Sequence, residues 1–383
     1  MLSQLFGNGD WISTLVWFGL FIVFIFFGPR LMVTQTILKL EKDAKDLEEM
    51  AENARKYVFR SISKRPNAKL KNSIRDFMEF FAVQPVGTDP YGIMKKIDYI
   101  IRQSDQRFRY FVKQIAPELP KERQMNVKNA LAGAITTHQI AKIVRHYIEL
   151  VKKYKMFQMA MVIQMQIPLI KSIAKAAMHA TDAFAKEIPI GDGIGALVVA
   201  NLMKGKIKRF KDDEFVLVQT NINRRKVFIA KADGPGAATG YPGKFLQKLL
   251  KKQKIKRIIT VDAGLRLEGE KPGTVAEGVG VAMGGSGVDR YEIEEIAVKR
   301  NIPLDAVAIK VSQEEALMPM KKEILKSVPK AIKIIKSTVN RAKKNEKILI
   351  IGVGNTCGIG NNFKSVKEAE KKIKKALKKQ KKK

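Results

Sequence analysis

Cysteine and histidine are scarce in this chain of 383 residues, which contains one cysteine and 3 histidines. Because the single cysteine, Cys357, cannot form an intrachain disulfide, the disulfide-stabilised folds of small secreted proteins are excluded. The histidines, His138, His146 and His179, all precede the glycine-rich second half of the chain. A conventional metal site with histidine ligands is therefore not expected in that half.

Acidic residues are few relative to basic ones. The 37 Asp and Glu residues against 72 Lys and Arg residues give a net charge of +35 at pH 7. A surplus of this size favours an anionic partner, such as RNA, a ribosome or anionic lipid. The segment 364–383 holds 11 lysines and no aromatic residue on which a base could stack. This Lys-rich tail therefore favours nonspecific attraction to a polyanion or a lipid surface.

Charged residues are absent from 11–27 (WISTLVWFGLFIVFIFF), and the apolar character continues to Val33. This length approaches the ~20 residues that a bilayer requires. No basic residue precedes the run and no small-residue cleavage site follows it, so we predict an uncleaved transmembrane anchor over 1–33. A helix buried in a protein core is the alternative. The basic residues that follow place the N-terminus outside and the rest in the cytoplasm, as a single-pass protein of the cell membrane.

Three further regions differ in composition. Residues 34–187 are rich in helix formers with apolar residues at a period of 3.6, which predicts an all-α middle region. Over 188–363, short β-branched runs alternate with glycine-rich turns and helical stretches, which predicts an α/β domain with a mostly parallel sheet. The tail, 364–383, is expected to be a basic helix or a frayed end.

The turn Gly191-Asp192-Gly193-Ile194-Gly195 precedes an apolar helical stretch. Gly191, Gly193 and Gly195 allow a tight turn with exposed amides at a helix N-terminus and are candidate binding residues. Asp192 is therefore a candidate cap, acid or base, or metal ligand. A second turn, 233–243, is rich in glycine and suits close approach of a ligand, but no Gly-Lys-Ser/Thr follows it as in a phosphate-binding loop. Its candidate binding residues are Asp233, Gly234, Gly236 and Gly240.

A carboxylate, Asp262, follows the apolar run 258–261, at the strand end where open α/β sheets place their sites. Glu268 and Glu270 come shortly after it. The apolar run 348–353 leads through Gly354 to Asn355, and its glycine spacing differs from the dinucleotide fingerprint. The loop 280–287 is also glycine-rich and is a candidate ligand-facing segment.

Two resemblances follow from these motifs. With 89–93 (DPYGI), 189–195 (PIGDGIG) and 267–270 (LEGE), the chain resembles an archaeal family of membrane-anchored proteins of unknown function. The α/β part resembles the phosphorylase/hydrolase-like fold of germination proteases and hydrogenase maturation proteases. On this resemblance Asp192 and Asp262 correspond to the two catalytic acids of the germination protease. The nickel-binding histidine of the hydrogenase proteases has no counterpart.

The order of the motifs departs from that pattern, because the strand ending at Gly354-Asn355 comes last instead of first. The resemblance therefore implies a circular permutation, in which Asn355 lies beside Asp192. Two nearby carboxylates can share a proton, so that one activates water while the other protonates the leaving group. They can equally hold Mg²⁺ or Mn²⁺, or simply cap a helix and bind loop amides. No cofactor is firmly implied, and the metal is left unknown.

Two functions of different classes thus compete. The first is a membrane-anchored, cytosol-facing hydrolase or peptidase that uses Asp192 and Asp262. The second is a non-catalytic membrane scaffold whose basic surface binds RNA, a ribosome or anionic lipid. The sequence leaves the substrate, the partner and the oligomeric state open.

Overall fold

The computed structural model describes residues 11–87, 92–285 and 287–380, without the side chains of 11–13, 26–31, 33, 379 and 380. The first half is helical, as predicted. Its helices are α1 (Trp11–Ile62), α2 (Ala68–Phe77), α3 (Ile93–Ile115), α4 (Lys121–Tyr154) and α5 (Phe157–Ala185). Apolar residues three and four positions apart, such as Leu40, Ala44 and Leu47, bury one stripe of α1 against α4 and α5. The three long helices therefore form one packed bundle.

The second half has seven further helices and seven strands within the described residues. The helices are α6 (Ile194–Leu202), α7 (Pro242–Lys252), α8 (Val288–Arg300), α9 (Gln313–Leu317), α10 (Lys322–Leu325), α11 (Val328–Asn340) and α12 (Phe363–Gln380). The strands are β1 (Lys208–Phe210), β2 (Phe215–Ile222), β3 (Arg225–Ala232), β4 (Ile255–Leu265), β5 (Val275–Val279), β6 (Leu304–Val311) and β7 (Lys347–Gly352).

The strands form a single sheet in the order β1-β2-β3-β7-β4-β6-β5. The four central strands β3, β7, β4 and β6 are parallel, whereas β1, β2 and β5 run antiparallel to their neighbours. The prediction of a mostly parallel sheet is therefore wrong, and the sheet is mixed. The physical reason at β2 and β3 is a two-residue loop, Asn223-Arg224, in which both residues have positive φ. A loop this short can join only antiparallel strands.

Helices cover both faces of the sheet. One face packs against α6, α11 and α12, and the other packs against α7 and α8. In α12, Val366, Ala369 and Ile373 are buried against the sheet. The Lys-rich segment is therefore a helix through Gln380, with an apolar stripe on the core, rather than a frayed end.

The predicted transmembrane anchor over 1–33 is not supported by the described part of the chain, in which no helix is long and apolar enough to cross a membrane. Residues 1–10 and several side chains of this segment lie outside the described residues. The helix α1 begins at Trp11. The helix then continues without a break into the charged sequence that ends at Ile62. The fold class is thus corrected to a helical region followed by an α/β domain with a mixed sheet.

The two halves contact each other through α3 and α4. Arg109 of α3 donates two hydrogen bonds to Glu214, at 2.5 and 3.0 Å, and also pairs with Asp105. In α4, Asn126 accepts a hydrogen bond from the Ala237 amide and Asn129 donates one to the Ala237 carbonyl. These contacts hold the turn that follows β3 against the helical bundle.

Candidate active site

The chain segments that carry Asp192, Asp262 and Asn355 meet at the carboxyl end of two adjacent parallel strands. Gly352, the last residue of β7, pairs with Val261 of β4, and Asp262 is the next residue of β4. β4 itself continues to Leu265, so Asp262 does not end its strand as the sequence suggested. It stands instead where the neighbouring strand has ended, which leaves room for the turn before α6.

That turn packs against the strands more closely than any side chain would allow. A Cβ atom added to Gly195 would lie 2.2 Å from the Val261 carbonyl oxygen and 2.5 Å from that of Val353. Added to Gly191 or Gly193, it would lie 2.1 Å from the Glu315 oxygen or 2.6 Å from the Asn355 oxygen. These glycines, predicted as ligand-binding residues, bring the backbone of the turn close to the sheet and so position Asp192.

Asp192 lies in a 3₁₀ turn, Gly191–Gly193, immediately before α6. Its Oδ2 atom accepts a hydrogen bond of 2.8 Å from the backbone N–H of Asn355. The expected proximity of Asn355 and Asp192 is therefore present. Among the described residues no group donates a hydrogen bond to Oδ1, and Asp192 is half-buried. One carboxylate oxygen is thus held in place while the other can receive a proton, a water or a substrate.

Asp262 is nearly inaccessible, with 3% of its surface exposed. Its Oδ1 accepts a hydrogen bond of 2.7 Å from the Ala263 amide, and its Oδ2 accepts one of 3.2 Å from the Gly284 amide. The adjacent Thr260 hydroxyl accepts a hydrogen bond from the Ala282 amide. The loop after β5 therefore crosses over Asp262 and is attached to β4 at two points.

Burial raises the pKa of both carboxyl groups, because the charged form loses its hydration. The pKa of Asp262 lies well above its usual range, with burial as the first cause and the negative charge of Asp192 as the second. The two backbone hydrogen bonds oppose this shift without cancelling it. The two carboxyl groups therefore favour a state in which the pair retains a proton at higher pH than isolated aspartates do. They differ in exposure, because Asp192 is half-buried and Asp262 is nearly inaccessible.

The glycine-rich loop over Asp262 borders open space. A Cβ atom added to Gly284 or Gly285 would meet no atom within 4 Å. Ser286 lies outside the described residues. The outer side of this loop therefore faces open space, and its inner side covers Asp262.

Asp233 and its glycine turn form a second cluster on the other side of β7. Asp233 follows β3, and its carboxylate accepts a hydrogen bond of 2.6 Å from the Asn361 amide and pairs with Arg209 at 3.4 Å. The Oδ1 atom of Asn361 accepts hydrogen bonds from the Gly234 amide and the Lys231 ammonium group, each of 2.9 Å. Asn361 therefore links three groups of this cluster.

Lys231 is the functional-site candidate that sequence reasoning missed. It lies on β3 with none of its surface exposed, and it also donates a hydrogen bond to the Ala232 carbonyl. Burial lowers the pKa of Lys231 to about 7, although the charge of Asp233 opposes this. The only sequence signal was a lysine directly after the apolar run 227–230 and before Ala232.

The glycines of the second turn approach other parts of the protein closely, and Asp233, Gly234 and Gly236 also line a cavity of about 180 Å³. An added Cβ would lie 2.0 Å from the Ile359 oxygen at Gly234 and 3.1 Å from the Glu122 Cα at Gly236. Gly240 has a φ of +64°, and its Cβ would lie 2.6 Å from the Phe215 ring. This turn is a cluster separate from the Asp192 pair. Thr356 connects the two clusters, because it follows Asn355 and donates a hydrogen bond of 2.7 Å to the Gly236 carbonyl.

Glu268 and Glu270 do not join the pair. Glu270 accepts a hydrogen bond of 2.8 Å from the Leu267 amide and lies 3.6 Å from Lys310, and Glu268 is exposed. Neither has a hydrogen bond to Asp192 or Asp262 in the described chain. Because β4 runs three residues beyond Asp262, both glutamates lie past the site.

Metal and thiol chemistry find little support in the described residues. No group of three or more His, Cys, Asp or Glu side chains there is arranged to hold a metal ion. His138 pairs with Glu79 at 2.9 Å, within the helical region. Burial strongly raises the pKa of the Cys357 thiol, which keeps it protonated and poorly nucleophilic.

Residues 14–187 match a protein of unknown function (DUF1512) N-terminal domain, and residues 190–360 match a domain of unknown function (DUF1512) C-terminal. No curated protein and no solved structure matches the chain. Neither an archaeal origin nor a relationship to germination proteases follows from these matches. The motif at 89–91 lies outside the described residues. With both of its halves matched in order, the chain belongs to the DUF1512 family.

Proposed function

We propose that this chain is a hydrolase in which Asp192 and Asp262 act as a pair of acids. The observation that carries the proposal is the convergence of two carboxyl groups, one half-buried and one nearly inaccessible, beside β4 at the carboxyl end of β7. Open α/β sheets commonly hold their sites at this edge. Paired titratable groups whose environments separate their pKa values are typical of general acid and base partners.

The difference in exposure assigns the roles. Asp192, the more exposed of the two, activates a water through its Oδ1 atom while Asn355 holds Oδ2. Asp262, whose raised pKa favours the protonated form, donates its proton to the leaving group. The amides of the loop 282–284 hold Asp262 in place. Water attack and leaving-group protonation together cleave one bond, and the pair ends with the proton on Asp192.

A peptide bond is the first substrate to test, because the Asp192 and Asp262 motifs resemble those of the germination proteases. The full chain is incubated with an unfolded protein and with a mixture of fluorogenic peptides, between about pH 5 and pH 8. We expect hydrolysis to fall about 100- to 10,000-fold in Asp192→Asn and in Asp262→Asn. The double variant should fall no further, because the two residues act as a unit.

Asp212→Asn is the matched control, since this carboxylate is exposed and pairs with Lys248 rather than with either acid of the pair. It should hydrolyse the substrates as the unmodified chain does. Hydrolysis that persists in Asp192→Asn contradicts the proposal. A chelator separates the two forms of chemistry open to paired carboxylates: activity that survives it supports proton transfer, and activity lost to it and restored by Mn²⁺ assigns the pair to a metal ion instead.

A further inference from the structure

A cavity of about 380 Å³ lies away from the acidic pair, between four elements of the α/β domain. These are the C-terminal end of α6, the β2-β3 hairpin, α11 and the first residue of α12. The polar, basic and aromatic side chains that line it include Asn201, Lys204, Thr220, Asn221, Lys336 and Phe363. No aspartate or glutamate is among the described residues that line it. This distinguishes it from the cavity beside Asp233, which Glu122 and Glu214 also line.

Phe363 is the aromatic residue of this cavity, and 42% of its surface is exposed. Two ammonium groups flank its ring: the Nζ atoms of Lys204 and Lys367 lie 5.4 and 5.7 Å from the ring centroid. A partly exposed ring with two ammonium groups over it matches the two needs of a nucleotide, since the base stacks on the ring when the flexible lysines move onto the phosphate. Lys336 adds a third positive charge across the cavity.

The remaining polar groups suit the edges of a base. Asn201, Thr220 and Asn221 contribute amide and hydroxyl groups to the wall of the cavity. Such groups both donate and accept hydrogen bonds, as the edges of unpaired bases do. An anionic lipid headgroup would use the lysines but would leave both the ring and these amides without a role.

We propose that this cavity binds single-stranded RNA, with a base stacked on Phe363 and the adjoining phosphates paired with Lys204, Lys336 and Lys367. The net charge of +35 supports the approach of RNA from a distance, and the cavity fixes where a nucleotide is held. The inference goes beyond the proposed hydrolase function and does not depend on it.

The test uses the full chain and a fluorescent single-stranded RNA of about 12 nucleotides, titrated at several salt concentrations. Phe363→Leu keeps an apolar side chain but removes the stacking face, and we expect at least about fivefold weaker binding. Phe363→Tyr keeps the face and should bind as the unmodified chain does. In the double variant Lys204→Ala with Lys336→Ala, the slope of log Kd against the logarithm of the salt concentration should decrease by about 1.4.

The matched charge control is Lys251→Ala with Lys252→Ala, which removes two exposed lysines of α7 on the other face of the sheet. Equal weakening in both double variants, or no difference between Phe363→Leu and Phe363→Tyr, overturns the proposal, because binding would then follow net charge alone. Vesicles with anionic lipid are the comparison ligand. If Phe363→Leu weakens binding to vesicles and leaves RNA binding unchanged, the surface belongs to a lipid and the proposal fails.

Discussion

The backbone amide of Asn355 donates a hydrogen bond of 2.8 Å to the Oδ2 atom of Asp192, a residue 163 positions earlier in the chain. This bond joins the end of the last strand to the turn that opens the α/β domain. It also orients the Asp192 carboxylate at the carboxyl end of β7, beside Asp262 of β4. The chemistry proposed for the chain depends on this long-range closure of the sheet.

The raised pKa of Asp262 predicts that its ionisation opposes folding. The native state binds the proton more tightly than the unfolded chain, whose Asp pKa is about 3.9. The free energy of unfolding therefore falls as pH rises through the window between the unfolded and folded pKa, by about 1.4 kcal/mol for each pH unit. Asp262→Asn has no carboxyl group to ionise at this position. The free energy of unfolding of this variant should therefore increase relative to that of the unmodified chain as pH rises.

Urea unfolding of both chains at steps from about pH 4 to pH 8 measures the difference, in which contributions common to both chains cancel. Asp212→Asn, which replaces an exposed carboxylate, provides the control. A constant difference between Asp262→Asn and the unmodified chain would show that the Asp262 carboxyl titrates normally.

Lys231 gives a prediction of opposite sign. Its pKa is lowered to about 7 in the folded chain, so the unfolded chain binds more protons between about pH 7 and pH 10.4. The free energy of unfolding of the unmodified chain therefore increases as pH rises over this window. Lys231→Met cannot titrate, so the unmodified chain should gain stability relative to this variant as pH rises from neutral to about 10.

Chemical unfolding at pH values across that window measures the gain. Lys226→Met is the matched control, because Lys226 lies on the same strand but is only half-buried. If the stability of the unmodified chain increases equally relative to Lys231→Met and to Lys226→Met, burial of Lys231 is not the source of the increase.

Gly195 is predicted to be intolerant of any side chain. In Gly195→Ala the new Cβ would lie 2.2 Å from the Val261 oxygen, and the backbone of α6 must move to relieve the clash. We expect a loss of about 1–3 kcal/mol in the free energy of unfolding, typical of overpacking in a close-packed core. Gly278→Ala, where nothing lies within 4 Å, should stay within about 0.5 kcal/mol of the unmodified chain.

Denaturant midpoints of the two glycine variants make the comparison. Because the backbone movement displaces Asp192, Gly195→Ala should also lose hydrolysis, whereas Gly278→Ala should retain it. Equal stability of the two variants would contradict the close packing of the turn on β4 and β7.

Local patterns predicted some of this structure and missed the rest for physical reasons. The apolar runs before Asp262 and Gly352 identified central strands, because a strand buried on both faces is apolar throughout. The Asn223-Arg224 hairpin carried no glycine signal, since asparagine can also adopt positive φ. Glu268 and Glu270 follow Asp262 closely in sequence, but the strand carries them away from the site. Lys231 and Asn361, 130 positions apart, meet only in the folded chain.

The decisive measurement is the titration of the Asp262 carboxyl carbon by ¹³C NMR in the unmodified chain and in Asp192→Asn. If the two carboxylates form one coupled pair, the pKa of Asp262 is raised in the unmodified chain and falls in Asp192→Asn, because the neighbouring negative charge is gone. Burial alone still keeps it above the usual range in the variant. An identical pKa of Asp262 in both proteins would contradict the pairing and, with it, the proposed acid and base roles.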